Sequence, residues 1–287
     1  MYTGRYPSSH GASINYAAVP IGERFLGDYL KELGVRTALV GKTHIKPDSK
    51  GMELLCIEPS SAAGQRLAEG AFEPYWRDDG LHPNDHDSSE TVYNRYLRRQ
   101  GYEGENPWHT NANGAIDENG EFVSGWFLEN SGYPANIKEE HSETPYATRR
   151  AMEFIEEAGE QPWCLHLSYI KPHWPYMAPA PYHNMYGKEH ILPVNRSHGE
   201  KREPHPIYEA FMEHQPSTTF VPQETREVVI PTYMGLIKQI DDQIGRLLDF
   251  LERRGELDNT VIVFTSDHGD YLGDHWLGEK DFFHEEA

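Results

Sequence analysis

Cysteine is nearly absent. Cys56 and Cys164 are the only two in 287 residues, too few for the disulfide framework on which small exported domains depend. They stand far apart in sequence and are expected to be unpaired. Long apolar runs are missing as well: no stretch approaches the roughly 18 apolar residues of a membrane span. The opening MYTGRYPSSHG lacks the apolar core of a signal peptide. Positive charge is scarce, with 26 Lys and Arg against 46 Asp and Glu and a formal net charge of −20. That balance excludes a general electrostatic footprint for nucleic acid and leaves room only for a local basic pocket. What remains, 37% hydrophobic and 25% charged residues, is the composition of a soluble globular protein. Its length allows one large domain or two moderate ones.

Three stretches share one plan, a helical pattern followed closely by a short apolar run. In PIGERFLGDYLKELG, residues Ile21, Phe25, Tyr29, Leu30 and Leu33 fall on one stripe, with Pro20 near the start and Gly34 as a stop. VRTALVG then reads as a strand. TPYATRRAMEFIEEAGEQP reads as a helix over 144–158 and is followed by WCLHLSYI. In the third stretch Ile237, Ile240, Ile244, Leu247, Leu248 and Leu251 recur at spacings of three and four, and NTVIVFTSD follows the turn-forming RRGELD. This alternation predicts an α/β sandwich with a mostly parallel central sheet, in which strands near 35–40, 163–169 and 260–265 are neighbours or near neighbours. Residues 45–135 and 171–230 are rich in turn-forming residues, and they are read as loop-rich insertions that wall a cleft rather than as linkers.

Each predicted strand runs into polar residues at its C-terminal end. The first presents Lys42, Thr43 and His44, the second Lys171 and His173, and the third Asp267, His268 and Asp270. In open α/β sheets, ligands bind outside the carboxyl ends of the strands. Asp267 and His268 offer one oxygen and one nitrogen to a divalent cation. Lys42 and Lys280 could clamp an oxyanion. His44 and His173 could hydrogen-bond phosphoryl or sulfuryl oxygens or protonate a leaving group. Plainer readings stand beside these: Asp267 capping a turn before Gly269, His268 at the surface, the two lysines serving solubility, the other two histidines structural. No nucleophile stands beside a base in the sequence. Cys56 and Cys164 lack one, and Ser8 and Ser9 lie in a turn without an activator.

Five strings, YTGRYPSSHG, GKTH, HLSYIKPHWPY, YMGLIKQIDDQIGRLLDFLE and VIVFTSDHGDYLGDHWLGEKDFFHEE, together resemble segments of the sulfatases in the same order. They resemble equally the phosphonate monoester and phosphodiester hydrolases of the alkaline phosphatase superfamily. The resemblance implies an alkaline-phosphatase-like sandwich and one active-site divalent metal, calcium or manganese, with Asp267 and His268 among its ligands. Histidine at 268 looks more like the phosphonate and phosphodiester branch, since many sulfatases carry asparagine there. Lys42 and Lys280 are similar to the lysines that bind substrate oxygens, and His44 to the histidine bonded to the nucleophile's hydroxyl. His173 is similar to the histidine near the leaving-group oxygen, and Thr43 stands where a hydroxyl could add a substrate contact.

In the family, TGRYP follows a Cys-x-Pro-Ser-Arg motif whose cysteine becomes the formylglycine nucleophile, and an upstream strand end supplies a pair of aspartates to the metal. Here the chain begins at MYTGRYP and stops at FFHEEA. The expectation is an incomplete sulfatase catalytic domain over 1–287, truncated at both ends and inactive alone. The parent would be a hydrolase of sulfate esters or, alternatively, of phosphonate monoesters and phosphodiesters. A non-catalytic anion-binding fragment is the reading from a different class. The implied partners are a small anionic ester and, for the parent, a formylglycine-generating enzyme, with no nucleic acid and no membrane; a homo-oligomer is compatible. A cytoplasmic location is expected, with export left open by the expected loss of the N-terminus.

Overall fold

The computed structural model describes residues 2–14, 17–77, 91–280 and 282–286. Residues 78–90, part of the first stretch read as an insertion, lie outside the described residues. In chain order the helices are α1 (Pro7–His10), α2 (Leu26–Glu32), α3 (Ser49–Leu54), α4 (Ala62–Ala68), α5 (Val92–Arg99), α6 (Glu143–Ala158), α7 (Pro206–Glu213), α8 (Gln215–Thr219) and α9 (Gln223–Arg253). The strands are β1 (Arg36–Gly41), β2 (Glu73–Arg77), β3 (Gly114–Ile116), β4 (Phe122–Ser124) and β5 (Trp163–Ser168). Two compact units divide them: Met1–Glu105 with Glu143–Ile170, and Asn106–Ser142 with Lys171–Ala287.

The first unit is α/β. Its sheet runs β2-β1-β5 with both pairings parallel, Ala38 opposite Leu165 and Val40 opposite Leu167. The central strand is buried from Thr37 to Gly41, as expected of a parallel strand covered on both faces. Helix α6 packs on all three strands. Ala147, Ala151, Phe154, Ile155 and Ala158 bury one stripe of it, at the spacing of a single helix face. Gly41 ends β1 with φ +108°, and a Cβ there would stand 1.8 Å from the Ser168 carbonyl oxygen. Only glycine permits that approach, which turns the chain into Lys42.

Helix α2 corrects the reading of its stretch. Only residues 26–32 are helical, and although Phe25 is buried, Tyr29 and Leu33 are exposed.

The second unit is built on α9. Gly235 lets this helix approach the backbone of Tyr182, whose carbonyl oxygen would lie 2.1 Å from an added Cβ. Thr232 Oγ1 donates to the Ser131 carbonyl at 2.8 Å. Leu128, Tyr176, Phe220 and Val229 form one apolar cluster, with Trp174, Tyr233 and Leu272 packed against it. The long helix is where the sequence predicts it, but of the predicted stripe only Leu251 is fully buried, and polar residues share the buried face. Ile237 is 47% exposed, whereas Gln239 and Gln243 are buried, their amides donating to Glu139 Oε1, and that of Gln239 also to Ser142 Oγ. Satisfied amides can occupy a helix face as well as apolar side chains can.

The third predicted strand is also corrected. Residues 260–265 join no ladder, and Val261, Val263 and Phe264 are 91%, 81% and 80% exposed. Apolar alternation marks a segment able to bury itself in a sheet, but a strand exists only where a partner supplies backbone hydrogen bonds.

Candidate functional site

The second unit brings four of the candidate residues together. His173 lies on the loop that follows Lys171. Its Nδ1–H donates to the Trp174 carbonyl oxygen at 2.9 Å, because a carbonyl only accepts. That tautomer leaves the lone pair on Nε2, which accepts from Lys280 Nζ at 2.8 Å. The loop is braced from within: Lys171 is buried, and its ammonium donates to Asn113 Oδ1 and, at 2.6 Å, to the Pro175 carbonyl. Lys171, read from the sequence only as a polar residue at the strand end, therefore holds the loop on which His173 stands.

His268 repeats the pattern. Its Nδ1 bonds the Gly269 carbonyl at 2.8 Å, and its Nε2 lies 3.6 Å from Asp267 Oδ2. Asp267 Oδ1 accepts from the His268 backbone N–H at 3.1 Å, and its side chain is 72% exposed. The rings of His173 and His268 meet edge to face with centroids 5.9 Å apart.

Oδ2 of Asp267 and Nε2 of His268 form a mixed oxygen and nitrogen donor pair. Their separation is close to the roughly 3 Å between adjacent ligands around a cation with bonds of about 2.1 Å. The pair fits part of the shell of one divalent cation. Among the described residues, no group of three or more His, Cys, Asp or Glu completes it.

Behind these residues lies a feature that sequence reasoning missed. Tyr176 donates its hydroxyl to Asp270 Oδ1 at 3.1 Å, and Tyr233, on α9, bonds the same carboxylate. Burial pushes the Asp270 carboxyl above the ordinary carboxylate range, opposed by the two tyrosine hydroxyls and by the proximity of His268 and Lys280. Burial and the Asp270 charge together raise both phenols, Tyr176 well above the usual value. The sequence places Asp270 at the strand end, but nothing in HWPY or PTYMG indicates which carboxylate their tyrosines meet.

Lys42, Thr43 and His44 belong to the first unit and directly follow β1. Lys42 is half-buried, with its backbone N–H on the Ser168 carbonyl at 3.2 Å; His44 is exposed. Thr43 is buried, and its hydroxyl donates to Glu69 Oε2 at 2.5 Å. Glu69 in turn pairs with Arg77 Nε at 2.5 Å. The Thr43 hydroxyl, expected to face a substrate, is thus engaged by a buried carboxylate.

The sulfatase family model matches residues 1–286. A multifunctional alkaline phosphatase superfamily protein, PehA, of Trinickia caryophylli is 30% identical, the match covering 96% of this chain and 53% of that protein. An arylsulfatase of Clostridium perfringens is 24% identical over 95% of this chain and 50% of its own length. Among solved structures, a phosphonate monoester hydrolase from Silicibacter pomeroyi superposes with a TM-score of 0.79 at 22% identity, covering 100% of this chain and 55% of that one. The chain spans about half the length of the relatives it matches.

Proposed function

Because the chain belongs to the sulfatase family, we propose that it serves a hydrolase of sulfate esters. The family resemblance assigns Lys280 to the oxygens of the anionic ester and His173 to the leaving-group oxygen in the second unit, and it assigns Lys42 to substrate oxygens and His44 to the nucleophile in the first. The observation that supports this best is the 2.8 Å contact between His173 Nε2 and Lys280 Nζ beside the Asp267–His268 donor pair. An ester oxygen departs with negative charge and needs a proton. In this pair His173 Nε2 accepts from Lys280 Nζ, so the ammonium is the proton source: as the ester bond breaks, another N–H of Lys280 passes its proton to the departing oxygen, while His173 keeps hold of the amine that results. The same ammonium neutralises charge on the ester oxygens, an interaction that strengthens as the bond breaks.

Asp267 and His268 would hold a divalent cation, which supplies Lewis-acid stabilisation of the same oxygens when bound. In the family, formylglycine made from the cysteine of Cys-x-Pro-Ser-Arg supplies the attacking oxygen. Neither Cys56 nor Cys164 stands in such a sequence, so the 287-residue chain by itself is expected to give no turnover above an Asp267→Ala control.

One observation favours a second reading. Histidine at 268 resembles the phosphonate and phosphodiester branch, so phosphonate monoesters are the alternative substrates. The deciding assay expresses the 287-residue chain and the longest reading frame containing it, each with a formylglycine-generating enzyme. Aryl sulfates, phosphonate monoesters and phosphodiesters are offered with and without manganese or calcium. Metal-dependent turnover best with aryl sulfates supports the first reading, and a preference for phosphonates the second. No turnover, with sulfate retained in equilibrium binding, would leave an anion-binding protein.

A further inference from the structure

We infer that Asp270 is a positioning residue, whose bond to Tyr176 sets where His173 meets Lys280. Three segments of the second unit end on this one carboxylate. Tyr176 lies three residues after His173 on the same loop, Asp270 lies two residues after His268, and Tyr233 projects from α9. The rings of Tyr176 and Tyr233 pack edge to face at 5.8 Å, and both side chains bond Asp270.

A partly buried carboxylate needs hydrogen bonds to offset its lost hydration, and here both tyrosine donors carry it. The cluster therefore has a strong preference for one geometry. Loop 171–176 is fastened at two points, by the Lys171 ammonium at Pro175 and by the Tyr176 hydroxyl at Asp270. His173 stands between the first of these and the second. Tyr233 bonds the same carboxylate, but its segment is already held by the Thr232–Ser131 bond and the packing of α9. Losing the Tyr176 hydroxyl should therefore release His173, whereas losing that of Tyr233 should not.

The test uses the full chain labelled with ¹⁵N-histidine, with the His173 signals assigned through His173→Gln. The first readout, the tautomer of His173, requires no turnover. Tyr176→Phe and Asp270→Ala are expected to lose the fixed Nδ1–H form and give an averaged imidazole. Tyr233→Phe and Leu251→Ala, a core truncation on α9, are expected to keep it. Asp270→Asn retains an acceptor oxygen and is expected to restore most of the wild-type signal. The second readout rests on the sulfatase reading: kcat is expected to fall about tenfold in Tyr176→Phe and less than about twofold in Tyr233→Phe, with KM nearly unchanged in both. Retention of the fixed tautomer in Tyr176→Phe would overturn the assignment, as would its equal loss in Tyr233→Phe or Leu251→Ala. The kinetic readout is taken on the longest reading frame expressed with a formylglycine-generating enzyme; if that wild type turns over no ester, the sulfatase reading fails while the tautomer still decides the role of Asp270.

Discussion

His173 Nε2 and Lys280 Nζ lie 2.8 Å apart, with the histidine tautomer fixed by the Trp174 carbonyl. Groups in such contact act as a unit, so their contributions should not add. In the sulfatase reading, His173→Ala and Lys280→Ala are each expected to lower kcat/KM by about 10²–10⁴. The double variant should lose far less than the product of the two effects. A double-mutant cycle on an aryl ester measures the coupling; strict additivity would mean that the contact has no part in the reaction.

The exposed run at 261–264 makes a direct contrast with β1. Leu39→Ala, at a fully buried position of the central strand, is expected to destabilise by about 2–5 kcal/mol. Val263→Ala should stay within about 0.5 kcal/mol of the parent. Urea denaturation of both variants checks this. A comparable loss at Val263 would return that run to the core.

How far the fold was legible follows from these same residues. The runs that became β1 and β5 were readable because each follows a Gly or Pro stop and has a neighbouring strand of like character. VIVF carries the same pattern, but periodicity reports the capacity to pair, not the presence of a partner. Helix α9 was readable in length. Its buried face was not, because Gln239 and Gln243 are counted as surface residues until Glu139 and Ser142 are seen against them. Within the site, the family resemblance pointed to His173, Asp267, His268 and Lys280. The Tyr176–Asp270–Tyr233 cluster joins positions 57 and 37 residues apart in sequence from Tyr176 and Asp270 to Tyr233, and no local signal connects them.

The two cysteines should differ sharply toward thiol reagents. Cys56 is exposed, whereas Cys164 lies on β5 and burial pushes its thiol pKa up, reducing the reactive thiolate. At pH 8 the native protein is expected to react at Cys56 first, with Cys164 slower by on the order of tenfold or more until denaturant is added. Mass spectrometry of the alkylated protein distinguishes the sites. Equal rates would contradict the placement of β5 in the sheet.

Acid should weaken the start of α3. The Asp48 carboxylate accepts from the backbone N–H groups of Gly51 at 2.9 Å and Ile21 at 3.2 Å, and these bonds hold its pKa below the ordinary 3.8. With the folded value below the unfolded one, the stabilisation is fully present above 3.8 and is lost as pH falls through the lower folded value. The gap in urea midpoint between wild type and Asp48→Ala should therefore be widest above that pH and close on further acidification. A gap independent of pH would assign the effect to packing.

The role of His173 at the departing oxygen is tested most directly by a leaving-group series. Aryl sulfates whose phenols span several units of acidity are hydrolysed by the wild type and by His173→Ala, both expressed in the longest reading frame with a formylglycine-generating enzyme. Poor leaving groups need a proton more than good ones do, so the deficit of the variant in kcat/KM should be small for the most acidic phenols and grow steadily as the phenol becomes less acidic. A deficit of the same size across the whole series would contradict a role for His173 in leaving-group departure.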